Sequence, residues 1–166
     1  MRNLIAVPVI ILAVILQSSI VSRMTFLAGF ADFPLVMLAA WALQDEVETA
    51  WHWAIATGIL VGFVSAIPWL VPLLSYLFVI ALAQVLQRRI WQAPLLAMFS
   101  ITFLGTVGSS FFSLVVLRFS GISLSAADVL GVLTLPSILL NMLLAIPVFA
   151  VMRDLARWVY PAPEVE

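Results

Sequence analysis

Long apolar runs with almost no charge inside them are the feature that most limits what this chain can fold into. Of its 166 residues, 65% are hydrophobic and 9% are charged, whereas soluble domains are about 45–50% apolar. A helix needs about 20 residues to cross the roughly 30 Å of hydrocarbon in a bilayer. The sequence therefore predicts an all-α, polytopic integral membrane protein with about six transmembrane helices.

Apolar runs and helix breakers divide residues 1–166, a single transmembrane domain, into helices. The predicted helices lie near residues 4–21, 32–43, 50–67, 68–87, 93–119 and 126–152, and a polar tail follows at 153–166. The second helix is short for a full span. Three interpretations stay open: a tilt in a thin region, an extension toward Phe26, or a partial insertion packed against its neighbours.

The distribution of arginine predicts the orientation of the chain. With the N-terminus inside, the cytoplasmic segments hold Arg2, Arg88, Arg89, Arg153 and Arg157, and the outer segments hold the other two arginines. Positive residues concentrate on the cytoplasmic side of membrane proteins. We therefore expect a multi-pass protein with both termini in the cytoplasm.

Composition and motifs exclude several classes of function. The formal net charge of -1 offers no basic surface for a nucleic acid. The absence of cysteine excludes disulfides, thiolate metal sites and cysteine nucleophiles. The segment GISLS at 121–125 misses the G-x-S-x-G elbow at its last position, and neither H-E-x-x-H nor a phosphate-binding glycine loop occurs. We expect a protein that is not an enzyme and that uses no cofactor or metal.

Small residues recur at every fourth position of the third predicted helix. They are Ala50, Ala54, Gly58, Gly62 and Ala66. Such a face lets another helix approach closely, because helices associate in lipid through van der Waals contact. Two interpretations stay open: packing within the chain, or a seam for a partner helix that leucine at Gly58 and Gly62 should block.

A polar stripe and two prolines mark the last predicted helix. Ser137, Asn141 and Ala145 share one face, and Pro136 and Pro147 each remove a helix hydrogen bond. We expect a kinked helix whose polar stripe faces protein rather than lipid. The amide of Asn141 is expected to hydrogen-bond to another helix within the chain or, alternatively, to a partner or a substrate.

Acidic and aromatic residues near helix ends have a structural interpretation. Asp32 and Asp128 lie near the start of predicted helices, where a carboxylate caps orphan amides; a binding role is the alternative. Six tryptophans near helix ends are interpreted mainly as interfacial anchors. They are Trp41, Trp51, Trp53, Trp69, Trp91 and Trp158.

Three segments of the chain resemble the bacterial rod shape-determining protein MreD family. ADFPLVMLAAWAL at 31–43 looks like the family's aspartate-led second helix, and GILVGFVSAIPW at 58–69 is similar to its glycine-spaced third helix. The strongest match is LPSILLNMLLAIPVFAVMRDL at 135–155, with a proline-serine pair, an asparagine and a basic end. The resemblance implies a fold similar to that of the substrate-binding subunits of energy-coupling factor transporters.

The resemblance also implies a function in lateral cell-wall elongation. It implies a non-catalytic scaffold of the bacterial inner membrane that binds the single-span protein MreC and helps to maintain rod shape. The other implied partners are the elongation transpeptidase, its glycosyltransferase and the MreB filament.

The alternative function is the substrate-binding subunit of an energy-coupling factor vitamin transporter. Its ligand site would be sought in the polar outer cluster, which consists of Asp32, Ser120, Ser123, Ser125 and Asp128. Against this alternative, the Ala-x-x-x-Ala motif with which the first helix of such subunits docks is missing from the first predicted helix here.

Overall fold

The computed structural model of the protein describes residues 5–19, 25–26, 29–45, 47, 50–87, 93–122 and 125–160. Its helices are α1 (Ala6–Ser19), α2 (Phe33–Ala42), α3 (Ala50–Val64), α4 (Leu70–Gln87), α5 (Pro94–Phe119), the short α6 (Ala126–Asp128) and α7 (Leu135–Val159). A π-helical segment, Val129–Thr134, joins α6 to α7. The strands β1 (Thr25–Phe26) and β2 (Gly29–Phe30) pair antiparallel before α2. Apart from this short ladder, the regular structure of the described residues is helical, which confirms the all-α prediction.

Three helical stretches are long and apolar enough to cross a membrane. They are Leu70–Gln87, Pro94–Phe119 and Val129–Val159. The helices α1, α2 and α3 are apolar but shorter, with 14, 10 and 15 residues. The chain is therefore a helical, membrane-embedded protein, and a full span is supported by length for three of the six predicted helices.

The helix α2 is short and buried on all sides. Every residue from Pro34 to Ala42 is buried, and the helix packs against α1, α3, α4, α5 and α7. Its ten residues rise about 15 Å, or half of the hydrocarbon thickness. The structure thus shows a short helix enclosed by its neighbours, as the third interpretation expects; how far it inserts into a membrane stays a prediction. An extension of the helix toward Phe26 is wrong, because the chain before Asp32 forms the strand pair instead.

The last helix changes its hydrogen-bond pattern where Pro136 enters it. Proline offers no N–H to the carbonyl one turn earlier, and the preceding turn widens into the π-helical segment. There the Leu135 N–H donates to the carbonyl of Leu130, and Thr134 Oγ1 donates to the carbonyl of Val129 over 2.8 Å. Pro147 lies exposed inside α7.

The end of α7 corrects the predicted boundary of the last helix at 152. The helix continues to Val159, so the first half of the predicted polar tail, residues 153–159, is helical, while residues 161–166 lie outside the described residues. The physical reason is that the buried face continues at helical spacing through Met152, Ala156 and Val159. The charged residues between them face outward and do not end the helix.

One end of the bundle, which we call the tryptophan end, is defined by Trp41, Trp53 and Tyr160. The rings of Trp41 and Trp53 stack with centroids 4.4 Å apart, and the centroid of Tyr160 lies 6.4 Å from that of Trp41. Trp41 is 1% exposed and Trp53 is 3% exposed. Their interpretation as interfacial anchors is therefore wrong: α2 stops inside the protein, and the two rings pack on each other rather than at a lipid headgroup.

The other tryptophans differ from this buried pair. Trp51, Trp69 and Trp158 are exposed, as an interfacial position requires. Trp91 lies outside the described residues. The tryptophan end is therefore a packed core that uses two of the six tryptophans.

Candidate functional site

The opposite end of α2, which we call the aspartate end after Asp32, borders a cavity of about 600 Å³. The cavity lies between the ends of α1, α3 and α5 and the starts of α4 and α7. Small-molecule sites in proteins have volumes of about 300–1,000 Å³ and mix apolar walls with a few placed polar groups. This cavity has that composition, with aliphatic walls and a small number of polar side chains.

Asp32 connects the start of α2 to α4. Its Oδ1 accepts a hydrogen bond from the Leu35 N–H over 3.0 Å, the expected N-terminal cap. The same oxygen accepts from the hydroxyl of Tyr76 over 3.1 Å. No hydrogen bond from another described residue reaches Oδ2, and the half-buried side chain lies in the cavity wall. The carboxylate thus keeps one oxygen for a further contact.

The non-helical chain at residues 29–32 is satisfied by polar side chains of α7. Backbone groups that leave a helix inside an apolar bundle need hydrogen-bond partners from the protein. Ser137 Oγ accepts from the Phe30 N–H over 3.1 Å, and Asn141 Oδ1 accepts from the Asp32 N–H over 2.7 Å. The polar stripe predicted for the last helix therefore faces this segment.

The same segment is held from the other side by α1. Gln17 Nε2 donates to the carbonyl of Ala31 over 2.9 Å, and Gln17 Oε1 accepts from the Phe33 N–H over 2.9 Å. The segment also lies very close to the backbone of α7: a Cβ added at Gly29 would be 2.6 Å from the backbone nitrogen of Ser137. Glycine is needed there to let the two backbones meet.

Asn141 uses both ends of its amide. While its Oδ1 accepts from Asp32, its Nδ2 donates to Thr106 Oγ1 on α5 over 2.9 Å. The Thr106 hydroxyl in turn donates to the carbonyl of Thr102 over 2.7 Å. Asn141 is 1% exposed. The hydrogen bond expected between this residue and another helix is present, and it lies within the chain.

The small residues of α3 pack mainly inside the protein. A Cβ added at Gly58 would lie 2.8 Å from the Cα of Leu73 on α4. A Cβ at Gly62 would lie 2.8 Å from the side chain of the residue that precedes α4. Ala54 is fully buried, whereas Ala66 is exposed beyond the end of α3. Gly58 therefore packs closely on α4 and Gly62 on the residue just before it, which favours the interpretation of packing within the chain; a partner seam stays a prediction.

The sequence interpretation missed much of the polar wall of the cavity. Tyr76 on α4 and the hydroxyls of Thr106, Ser110 and Ser113 on α5 all line it. The signal was present, since residues four and seven positions apart share one face of a helix. A stripe of hydroxyls at this spacing in an otherwise apolar helix indicates a face that does not meet lipid.

The polar cluster predicted for a ligand is only partly assembled. Of its members, Asp32 lines the cavity, while Ser120, Ser125 and Asp128 are exposed and lie outside it. Ser123 lies outside the described residues. Asp128 lies in the first turn of α6, as predicted, but its side chain makes no cap hydrogen bond to a described residue, because the backbone there is already helical.

The cavity combines one carboxylate, one phenol and a row of hydroxyls with apolar walls, a set that binds through charge and hydrogen bonds. Among the described residues no group of His, Asp and Glu could hold a metal ion. Comparisons with models of protein families, with curated proteins and with solved structures each find no match to this chain.

Proposed function

We propose that the protein is a non-catalytic scaffold of the bacterial cell-wall elongation complex, which binds an MreC-like single-span protein and helps to maintain rod shape. One observation carries the proposal. The two segments 31–43 and 135–155, which resemble MreD, meet through the 2.7 Å hydrogen bond from the Asp32 N–H to Asn141 Oδ1. The aspartate and the asparagine on which the resemblance rests thus belong to one hydrogen-bonded unit.

In this proposal the resembling segments build a rigid body rather than a docking seam. In the third segment, 58–69, Gly58 packs against α4 and Gly62 against Trp69 just before it, so a partner helix packs on other faces, which point to lipid. The scaffold acts in the inner membrane with both termini in the cytoplasm. There it assembles with the elongation transpeptidase, its glycosyltransferase and the MreB filament.

The second candidate function is the substrate-binding subunit of an energy-coupling factor vitamin transporter. The cavity of about 600 Å³ beside Asp32 favours it, because such a subunit must enclose a small molecule. The missing docking motif in the first helix argues against it. Both candidates share a membrane-embedded helical body, and their partners distinguish them.

The deciding experiment is mild affinity purification of the tagged protein from its native membrane, followed by mass spectrometry. Enrichment of an MreC-like protein with a wall-building transpeptidase supports the scaffold. Enrichment of a membrane coupling subunit with a pair of ATPases supports the transporter instead. An unrelated tagged membrane protein at the same expression level is the control, and recovery of neither set above that control overturns both candidates.

A further inference from the structure

We propose that the cavity at the aspartate end binds a small organic cation, with its ammonium group on the carboxylate of Asp32 and its apolar body against the helix walls. The scaffold candidate names no ligand, and the transporter candidate places a vitamin in this cavity without fixing its charge, so the chemical class of the ligand is what this inference adds. It rests on the charge, hydrogen-bond direction and volume of the cavity, and it holds whichever partners the protein has.

The charge of the cavity comes from Asp32. Among the described residues that line it, Asp32 is the one with a formal charge, and neither arginine nor histidine is present. Its Oδ1 is shared by the Leu35 N–H and the Tyr76 hydroxyl, whereas Oδ2 has no hydrogen bond from another described residue. An anion without a cationic partner at an apolar wall attracts positive charge more strongly than one in water.

The hydrogen bonds on the α5 wall favour a ligand that donates. Thr106, Ser110 and Ser113 each donate their hydroxyl hydrogen to a backbone carbonyl one turn earlier, over 2.7, 3.1 and 2.9 Å. A hydroxyl carries a single hydrogen, so Ser110 and Ser113 still offer oxygen lone pairs, whereas the Thr106 oxygen also accepts from the Asn141 amide. An ammonium group brings three donors to such acceptors. A carboxylate or phosphate ligand would be repelled by these lone pairs and by the negative charge of Asp32.

The volume and the remaining walls suit an amphipathic molecule. The cavity of about 600 Å³ is lined by aliphatic side chains from four parts of the bundle, including Val14, Val61, Leu117 and Leu133. These walls can contact an apolar group. A bare metal ion or a proton has no apolar group and would leave the walls without a contact. The ligand is therefore an amine with a hydrophobic portion rather than an inorganic cation.

The test uses the full chain in nanodiscs and three probes with one body and different charge. The probes are phenethylamine, phenethyl alcohol and hydrocinnamate, and their dissociation constants are measured by saturation-transfer NMR titration, with empty nanodiscs as the blank for partitioning. We expect the amine to bind about tenfold more tightly than the alcohol, with the carboxylate weakest. Equal affinity for the three probes would overturn the proposal.

Two aspartate variants locate the cation. Asp32→Asn removes the charge but keeps an oxygen for the Leu35 N–H and the Tyr76 hydroxyl, so the amine should lose its roughly tenfold advantage over the alcohol. The matched control is Asp128→Asn, which removes an exposed charge outside the cavity and should leave all three affinities unchanged. An amine preference that survives Asp32→Asn would overturn the assignment.

A third variant keeps the test decisive if Asp32→Asn does not give a folded protein. Ser113→Phe places a ring in the cavity from α5 without touching the hydrogen bonds of Asp32. We expect it to abolish amine binding while the protein stays monodisperse. Unchanged amine affinity in this variant would place the ligand elsewhere and refute the cavity as its site.

Discussion

The two ends of α2 show two ways to stabilise a short helix that is buried on all sides. At the tryptophan end Trp41 and Trp53 are buried and stacked at 4.4 Å, and the indole N–H of Trp41 has no hydrogen-bond partner among the described residues. At the aspartate end, the chain that enters α2 is held by side-chain hydrogen bonds from α1 and α7 and borders a cavity.

The difference follows from where the helix stops. Side-chain packing stabilises the tryptophan end, so the contribution of this end to the free energy of unfolding depends on how completely its side chains fill the space between the helices. The aspartate end adds a stretch of extended backbone inside the bundle, and each of its amides needs a partner that water would otherwise supply. Polar side chains therefore lie where backbone amides need hydrogen-bond partners. Removing a packing contact and removing a hydrogen bond should lower the free energy of unfolding by different amounts.

The largest effect is expected from Trp41→Ala. Removing a fully buried indole leaves a cavity beside Trp53 and should lower the free energy of unfolding by about 3–5 kcal/mol. The matched control is Trp158→Ala on α7, because Trp158 is 73% exposed. Equilibrium unfolding in mixed detergent micelles measures both, and equal losses would show that the stacked pair is not the core of this end.

The next effect is expected from Asn141→Leu at the aspartate end. The substitution keeps the side-chain size but leaves the Asp32 N–H and Thr106 without their bonds to the amide. The free energy of unfolding should fall by about 1–3 kcal/mol, since a buried donor stays unpaired. Met142→Leu, the neighbouring volume-conserving change, is the control. If the two variants unfold alike, the hydrogen bonds of Asn141 do not hold the entry to α2.

The contrast between the two ends also shows how far the sequence predicts the fold. The span predicted at residues 93–119 agrees with α5, Pro94–Phe119, because a long apolar run ends at clear breakers. Trp41 was misinterpreted for a physical reason: an aromatic residue at a helix end meets lipid headgroups only if that helix reaches the surface, and α2 stops inside. Whether a short helix is inserted or buried depends on contacts that periodicity does not contain.

The sequence predicts which residue types form the candidate site but not which hydrogen-bond partners they have. A buried asparagine needs a hydrogen bond, so the role of Asn141 as a link between elements followed from its apolar neighbours. Its acceptor contact to Asp32 joins residues 109 positions apart, and the Tyr76 hydroxyl lies 44 positions from Asp32. Such pairings are set by how the helices pack, which local sequence patterns do not specify.

The smallest changes in the free energy of unfolding are expected for two threonines one turn apart on α5. One of them is hydrogen-bonded to Asn141 and the other is not, so the pair isolates the effect of that bond. Thr102 is fully buried, and its Oγ1 has no hydrogen-bond partner among the described residues. Thr102→Val should therefore leave the free energy of unfolding unchanged or raise it by up to about 1 kcal/mol. Thr106→Val removes the acceptor of the Asn141 amide and should lower it by about 0.6–2 kcal/mol.

A double-mutant cycle separates the Thr106 hydrogen bond from general packing on α5. Thr106→Val combined with Asn141→Leu should show a coupling energy of at least about 0.5 kcal/mol, because the two side chains share one bond. The cycle of Thr102→Val with Asn141→Leu should be additive, since Thr102 accepts nothing from that amide. Equal coupling in both cycles would mean that Asn141 stabilises the bundle through shape alone, and the aspartate end would then resemble the tryptophan end after all.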